Sequence, residues 1–155
     1  MRITILAVGR MRPGPERSLY DDYVLRFDRA GKALGLGPVD LREVEAKKGG
    51  MAAEADLLGR QVPEGATLVA LDERGRQISS PDFAACLGGW RDDGVRDLAL
   101  LIGGADGLEA GLRDRAALRL SLGKMVWPHM LVRVMLAEQL YRAASILAGS
   151  PYHRA

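Results

Sequence analysis

The stretch Leu98-Ala99-Leu100-Leu101-Ile102-Gly103-Gly104-Ala105-Asp106-Gly107-Leu108 decides the fold. Leu98 to Ile102 is a short, unbroken apolar run, and a glycine pair stops it. A strand that is apolar on both faces needs cover on both sides, which is the condition of a parallel sheet sandwiched between helices. The glycine pair at the strand exit brings backbone amides and carbonyls within reach of a ligand, because no β-carbon stands in the way. In open α/β sheets ligands gather at the carboxyl ends of strands, where Gly103 and Gly104 fall. A plain tight turn explains the same two residues equally well. There is no GxGxxG spacing and no Gly-Lys-Ser/Thr, so dinucleotide and nucleoside triphosphate fingerprints are absent.

The same alternation extends outward in both directions. Arg2 to Gly9 reads as a buried first strand ended by glycine, and Glu16 to Leu34 as an amphipathic helix with Leu19, Tyr23, Phe27 and Ala30 at helical spacing. Gly35-Leu36-Gly37-Pro38 stops that helix. Val39 to Val44 is a weaker strand. Glu45 to Gly50 has loop chemistry and leads into a helix over Met51 to Leu58. Thr67 to Leu71 is a strand ending in the turn Asp72-Glu73-Arg74-Gly75. Ser80-Pro81 reads as a capped helix start, with the helix running from Asp82 to about Trp90. Beyond the deciding stretch come a helix over Leu108 to Leu118, a short strand over Arg119 to Leu122 and a last helix over Met130 to Leu147. Strands and helices in this order predict an α/β sandwich with a mainly parallel sheet.

With 155 residues, 48% hydrophobic and 27% charged, the chain has the size and balance of one folded domain spanning residues 1 to 155. No apolar run is long enough to cross a bilayer and no leader-like start is present, so a cytoplasmic location without membrane contact is expected. The lone Cys86 lies in an Ala-Ala-Cys-Leu helical context, which reads as a buried structural thiol. Two histidines and one cysteine offer no metal set, and no Ser-His-Asp or Cys-His grouping points to covalent hydrolysis.

Charge is polarised along the chain. From Ala110 onward seven basic residues face two acidic ones, so this segment carries +5 and the remainder −3, for the net +2 of the whole. Clustered cations fit a polyanion such as nucleic acid, and equally a solvated helix face. The last helix is apolar nearly all round, from Leu131 to Leu147, so part of it is expected to meet a second subunit or to lie under a cover of arginines. His129, after Pro128, sits at the entry to that helix, where a ring nitrogen can face a pocket or serve only structure.

Leu101-Ile102-Gly103-Gly104-Ala105-Asp106-Gly107, Ser121-Leu122 with Pro128-His129, Leu131-Val132-Arg133-Val134, Ala137-Glu138-Gln139-Leu140-Tyr141-Arg142-Ala143 and Pro151-Tyr152-His153-Arg154 resemble the small ribosomal RNA pseudouridine N3-methyltransferases of the RlmH type. Ile5-Leu6-Ala7-Val8-Gly9 and Leu71-Asp72 extend the resemblance over the whole chain. That family is part of the SPOUT superfamily. The resemblance implies a SPOUT-type α/β sandwich with a C-terminal trefoil knot, S-adenosyl-L-methionine as cofactor, a homodimer, and a pseudouridine of large-subunit (23S) rRNA within the ribosome as substrate.

Carried over by residue, the resemblance implies a cofactor pocket of Leu71, Gly103, Gly104, Leu122, Gly123, Lys124, Met125, Val126 and Trp127, with no metal. Gly123, Val126 and Trp127 depart from the family's usual Ser, Thr and Leu or Phe, which leaves recognition there to backbone groups. The chemistry would fall to His129, Tyr152, His153 and Arg154. Arg133, Glu138 and Arg142 would act beside them or form a salt-bridge network. A non-catalytic RNA- or nucleotide-binding module is the rival reading.

Overall fold

The computed structural model describes residues 1–154. Its strands are β1 (Arg2–Val8), β2 (Val39–Val44), β3 (Thr67–Arg76), β4 (Asp97–Ile102) and β5 (Leu118–Leu120). Its helices are α1 (Pro15–Lys32), α2 (Gly50–Gln61), α3 (Ser80–Asp92), α4 (Ala110–Asp114) and α5 (His129–Leu147). The strands form one sheet in the order β2-β1-β4-β3-β5, every pair parallel. β4 lies at the centre, which is why its residues from Leu98 to Ile102 are all buried.

The period-two alternation of a strand sends its side chains to opposite faces. Leu98, Leu100 and Ile102 join Ile3, Ile5 and Ala7 in the core beneath α1, α3 and α5. Ala99 and Leu101 join Leu6, Leu68 and Leu58 beneath α2 and α4. α5 packs against α1 and α3, burying Val134, Leu136, Ala137, Leu140, Ala143 and Ala144. Its remaining strip carries the exposed Leu131 and the half-buried Met135, Glu138 and Arg142.

Four local expectations are corrected. β3 does not end at Leu71. It bulges outward over residues 72–75 and resumes at Arg76, so that Leu120 of β5 pairs with both Leu71 and Arg76. The helix expected over Leu108 to Leu118 is only the five residues of α4, because β5 begins at Leu118 and claims the end of that segment. The cap of α3 is Ser79, whose hydroxyl accepts from the Asp82 amide at 3.1 Å, while the Ser80 hydroxyl donates to Gln139 on α5 at 2.7 Å. Cys86 is partly exposed rather than buried, since the helix face it shares is covered at Phe83, Ala84 and Leu87 but not at its own position.

Candidate active site

The β3 bulge and the loops that leave β4 and β5 enclose a cleft of about 280 Å³ at one edge of the sheet. Its walls come from residues 71–74, from 102–108 and from 120–127, with His129 and Val132 of α5 at one side. The β4 exit is a tight hairpin in which the Gly107 amide donates to the Gly104 carbonyl at 3.0 Å, with Gly107 in a left-handed conformation (φ +84°). A β-carbon on Gly103 would collide with the Gly107 carbonyl group, and one on Gly104 would lie 2.8 Å from a Glu54 carboxylate oxygen. Gly103 therefore lets the hairpin fold back on itself, and Gly104 lets it close against β1 and α2.

Leu71, Gly103, Gly104, Leu122, Gly123, Met125, Val126 and Trp127 all line the cleft, and Lys124 does not. Ser121 braces the loop after β5, its single hydroxyl proton lying between the carbonyls of Glu73 and Gly123 at 3.1 and 3.0 Å while its oxygen accepts from the Gly123 amide. Met125 and Val126 are 73% and 82% exposed, and Trp127 39%, an apolar rim around a cleft of mixed polarity. His129 is half-buried in the first turn of α5, whose leading amides have no acceptor inside the helix.

Asp72, Glu73, Arg74, Asp106 and Arg113 also line the cleft and were missed by sequence reading. Asp72 accepts from the Arg74 amide at 3.0 Å, which shapes the bulge. The Arg113 Nε is buried without a hydrogen-bond partner, with Asp72 Oδ2 3.8 Å away, too far to satisfy it. The available signal was Asp72-Glu73-Arg74-Gly75 itself. It reads as an ordinary turn, because only the pairing with β5 reveals a bulge.

The tail is elsewhere. Tyr152 donates to Glu138 Oε1 at 3.0 Å, its ring lies 4.6 Å from that of Tyr141, and the Arg142 guanidinium sits 4.8 Å over it. Burial, and then the bond to Glu138, raise the Tyr152 phenol well above its ordinary range. Arg142 binds Glu138 at 2.6 Å and reaches His153 Nδ1 at 3.2 Å; since a guanidinium only donates, that nitrogen accepts. The bond to Glu138 raises the Arg142 pKa. Glu138 and Arg142 thus form a network, and what it fixes is the tail. Arg154 is exposed. Glu138 and Arg142 stand nine and thirteen positions beyond His129 along α5, rises of about 14 and 20 Å, and none of Tyr152, His153 and Arg154 lines the cleft.

Arg133 takes a different part. It is fully buried, its guanidinium donating to Glu43 Oε2 at 2.7 Å and to the carbonyls of Val8 and Gly9 at 2.8 and 2.7 Å. Burial lowers its pKa and Glu43 opposes that shift. It ties the start of α5 to the end of β1. Of the seven basic residues after Ala110, Arg113, Arg119, Arg133 and Arg142 each face an acid within 4 Å, while Arg115, Lys124 and Arg154 are exposed with no ion pair among the described residues. Among the described residues there is no cluster of potential metal ligands, and no helix is long and apolar enough to cross a membrane.

A family model described as predicted SPOUT methyltransferase matches residues 1–153. The chain is 68% identical over 155 residues to the ribosomal RNA large subunit methyltransferase H of Ruegeria pomeroyi, with 99% of each chain covered. It is 66% identical to the protein of the same name from Dinoroseobacter shibae, again over 99% of each. Among solved structures, a probable methylase family protein from Haemophilus influenzae aligns with a TM-score of 0.51 at 13% identity, over 99% of this chain and 70% of that one. That last likeness concerns the fold.

Proposed function

The chain belongs to the SPOUT methyltransferases, in the group of the ribosomal RNA large subunit methyltransferases H, and on that footing we propose that it methylates N3 of a pseudouridine in 23S rRNA with S-adenosyl-L-methionine as donor. The observation that carries this reading is the convergence of the β3 bulge with the β4 and β5 exits on one cleft, with an imidazole at its side. The same membership carries the expectation that the segment from β4 through α5 is threaded as a trefoil knot.

The cleft fits the cofactor in two respects. Its glycine hairpin offers backbone donors and acceptors at close range, and the orphaned Arg113 Nε beside Asp72 suits a polar ligand, such as one bearing hydroxyls or a carboxylate. Leu71, Gly103 and Gly104 would hold it together with the loop from Leu122 to Trp127. S-adenosyl-L-methionine supplies a methyl group on a sulfonium, which becomes a neutral thioether as the methyl passes to the imide nitrogen. The base must lose its N3 proton, and a ring nitrogen of His129 is the group of this cleft suited to take it. Alignment of donor and acceptor does the remainder, an effect worth up to about 7–11 kcal/mol in well-oriented systems.

Tyr152, His153 and Arg154 serve the base or its neighbouring phosphate. Their absence from the cleft lining of their own protomer supports a role at the partner's cleft, in a homodimer. The exposed strip of α5 with Leu131 and Met135, the exposed Leu19 of α1 and the apolar Met125, Val126 and Trp127 supply a surface for it. Function in the cytoplasm, on ribosomes, accords with this reading.

Mass spectrometry of 23S rRNA from cells lacking the protein tests the reaction. Loss of one methylpseudouridine is expected, and an unchanged modification profile overturns it. Calorimetry with S-adenosyl-L-methionine separates the enzyme from a non-catalytic RNA-binding module, for which no saturable binding would be seen.

A further inference from the structure

β2, β1 and β4 run abreast, pairing Val44 with Val8 and Ala7 with Ile102, so their following loops leave the same edge side by side. The step between neighbouring strands is about 4.8 Å, which sets residues 9–14 one step, and residues 45–49 two steps or about 10 Å, from the exit of β4 where the glycine hairpin lies. The first of these loops is held firmly. Arg133 binds the Gly9 carbonyl, the Met11 amide donates to Glu43 Oε2 at 2.5 Å, and Arg17 donates to the Met11 carbonyl at 3.3 Å. Met11 is buried, and its two neighbours, Arg10 and Arg12, are exposed.

Next to them Lys47 and Lys48 stand exposed in the loop after β2. Arg10 makes one long contact with Glu45 at 3.7 Å, and both partners are mostly solvated. Arg12, Lys47 and Lys48 have no acidic partner among the described residues. Elsewhere on the surface the arginines are commonly paired, as Arg2 is with Asp97, Arg26 with Asp22 and Arg60 with Asp56. Four cations, with Glu45 as their one ion-pair partner and Glu54 beyond them at the glycine hairpin, thus stand in two neighbouring loops, the first on a braced backbone.

We propose that Arg10, Arg12, Lys47 and Lys48 form a docking shelf for the phosphate backbone of the RNA that carries the target base. The proposal rests on the rRNA methyltransferase reading and assigns the polyanion contact to N-terminal loops, whereas charge along the sequence points to the segment after Ala110. Phosphate contacts position a nucleic acid without reading its bases, and unpaired, solvated cations suit that task because they release condensed counterions at no cost in broken ion pairs. A protein partner is disfavoured. The centre of a protein interface is apolar and aromatic, whereas here Met11 is buried and the exposed side chains are charged.

The test uses the full-length protein with R12E, K47E and K48E combined, assayed for methyl transfer from S-adenosyl-L-methionine to ribosomes from cells lacking the protein. The expected result is a KM for ribosomes raised at least about tenfold, kcat within about twofold of wild type, and an unchanged Kd for S-adenosyl-L-methionine. The slope of log affinity against log salt should fall by about 2, near 0.7 for each phosphate deprived of its cation. Neutral K47Q and K48Q, with thermal unfolding as for wild type, should give a smaller rise of the same kind. An active wild type with unchanged KM and salt slope in the charge-reversed protein overturns the shelf. So does a photo-crosslinker at position 47 that captures ribosomal protein and no rRNA. A wild type that binds the cofactor yet methylates no ribosome removes the underlying reading, and the shelf with it.

Discussion

At Arg133 a single side chain joins three parts of the molecule, and no water stands in for its partners because it is fully buried. Replacing it with methionine leaves Glu43 and two carbonyls short of their donor. A loss of about 3 kcal/mol is expected in denaturant unfolding, within the range for breaking one partner of a buried pair. Adding E43Q should restore part of that loss. Gly103 makes the opposite kind of demand, for space. G103A must displace the Gly107 backbone, so cofactor affinity measured by calorimetry should fall by at least about tenfold, and an unchanged Kd would remove the hairpin from the pocket. Glu109 shows how a charge acts at a helix start. The amides of Gly111 and Leu112 hold its carboxyl below the usual carboxylate range. A depressed folded-state pKa contributes stability above the ordinary carboxylate pKa that is lost as pH falls through the folded value. E109Q should therefore flatten the acid limb of the thermal stability profile.

The elements follow the sequence where local signals and tertiary packing agree. β2 runs over the predicted Val39 to Val44, and α5 begins one residue before the predicted Met130. They part where a neighbour decides. The bulge in β3 exists because β5 pairs on both sides of it, and five residues of α4 are all that remain once β5 forms. The cap of α3 falls one residue earlier than predicted because Ser80 is taken by Gln139 of α5. S79A should cost about 1 kcal/mol, the usual value of such a cap. The tail behaves as an element in its own right, folded back on α5 through Tyr152, Glu138 and Arg142. A chain ending at Pro151 should bind S-adenosyl-L-methionine with near wild-type affinity and methylate no ribosomes; a collapse of cofactor affinity would count against a substrate role for the tail.

For the whole molecule, the separation of tail and cleft within one chain makes the dimer part of the proposed mechanism. A mixture of H129A protein with protein truncated after Pro151, each inactive alone, should regain methyl transfer, since the heterodimer has one cleft with both His129 and a tail. No recovery, with heterodimers confirmed by native mass spectrometry, would place both groups in one protomer. The sequence by itself determined the parallel α/β architecture, because apolar runs of strand length between helical patterns can bury their surface in few other ways. Its motifs also marked Gly103, Gly104, the loop from Leu122 to Trp127 and His129, which the structure brings to one cleft, Lys124 excepted. Only the tertiary structure decided that Asp72 and Arg113 face that cleft, that Arg133 is a brace, and that Arg12, Lys47 and Lys48, after β1 and β2, stand exposed without an ion pair among the described residues. Strand order is the physical reason: β1 and β2 stand beside β4 through pairings between residues tens of positions apart, which no local pattern encodes.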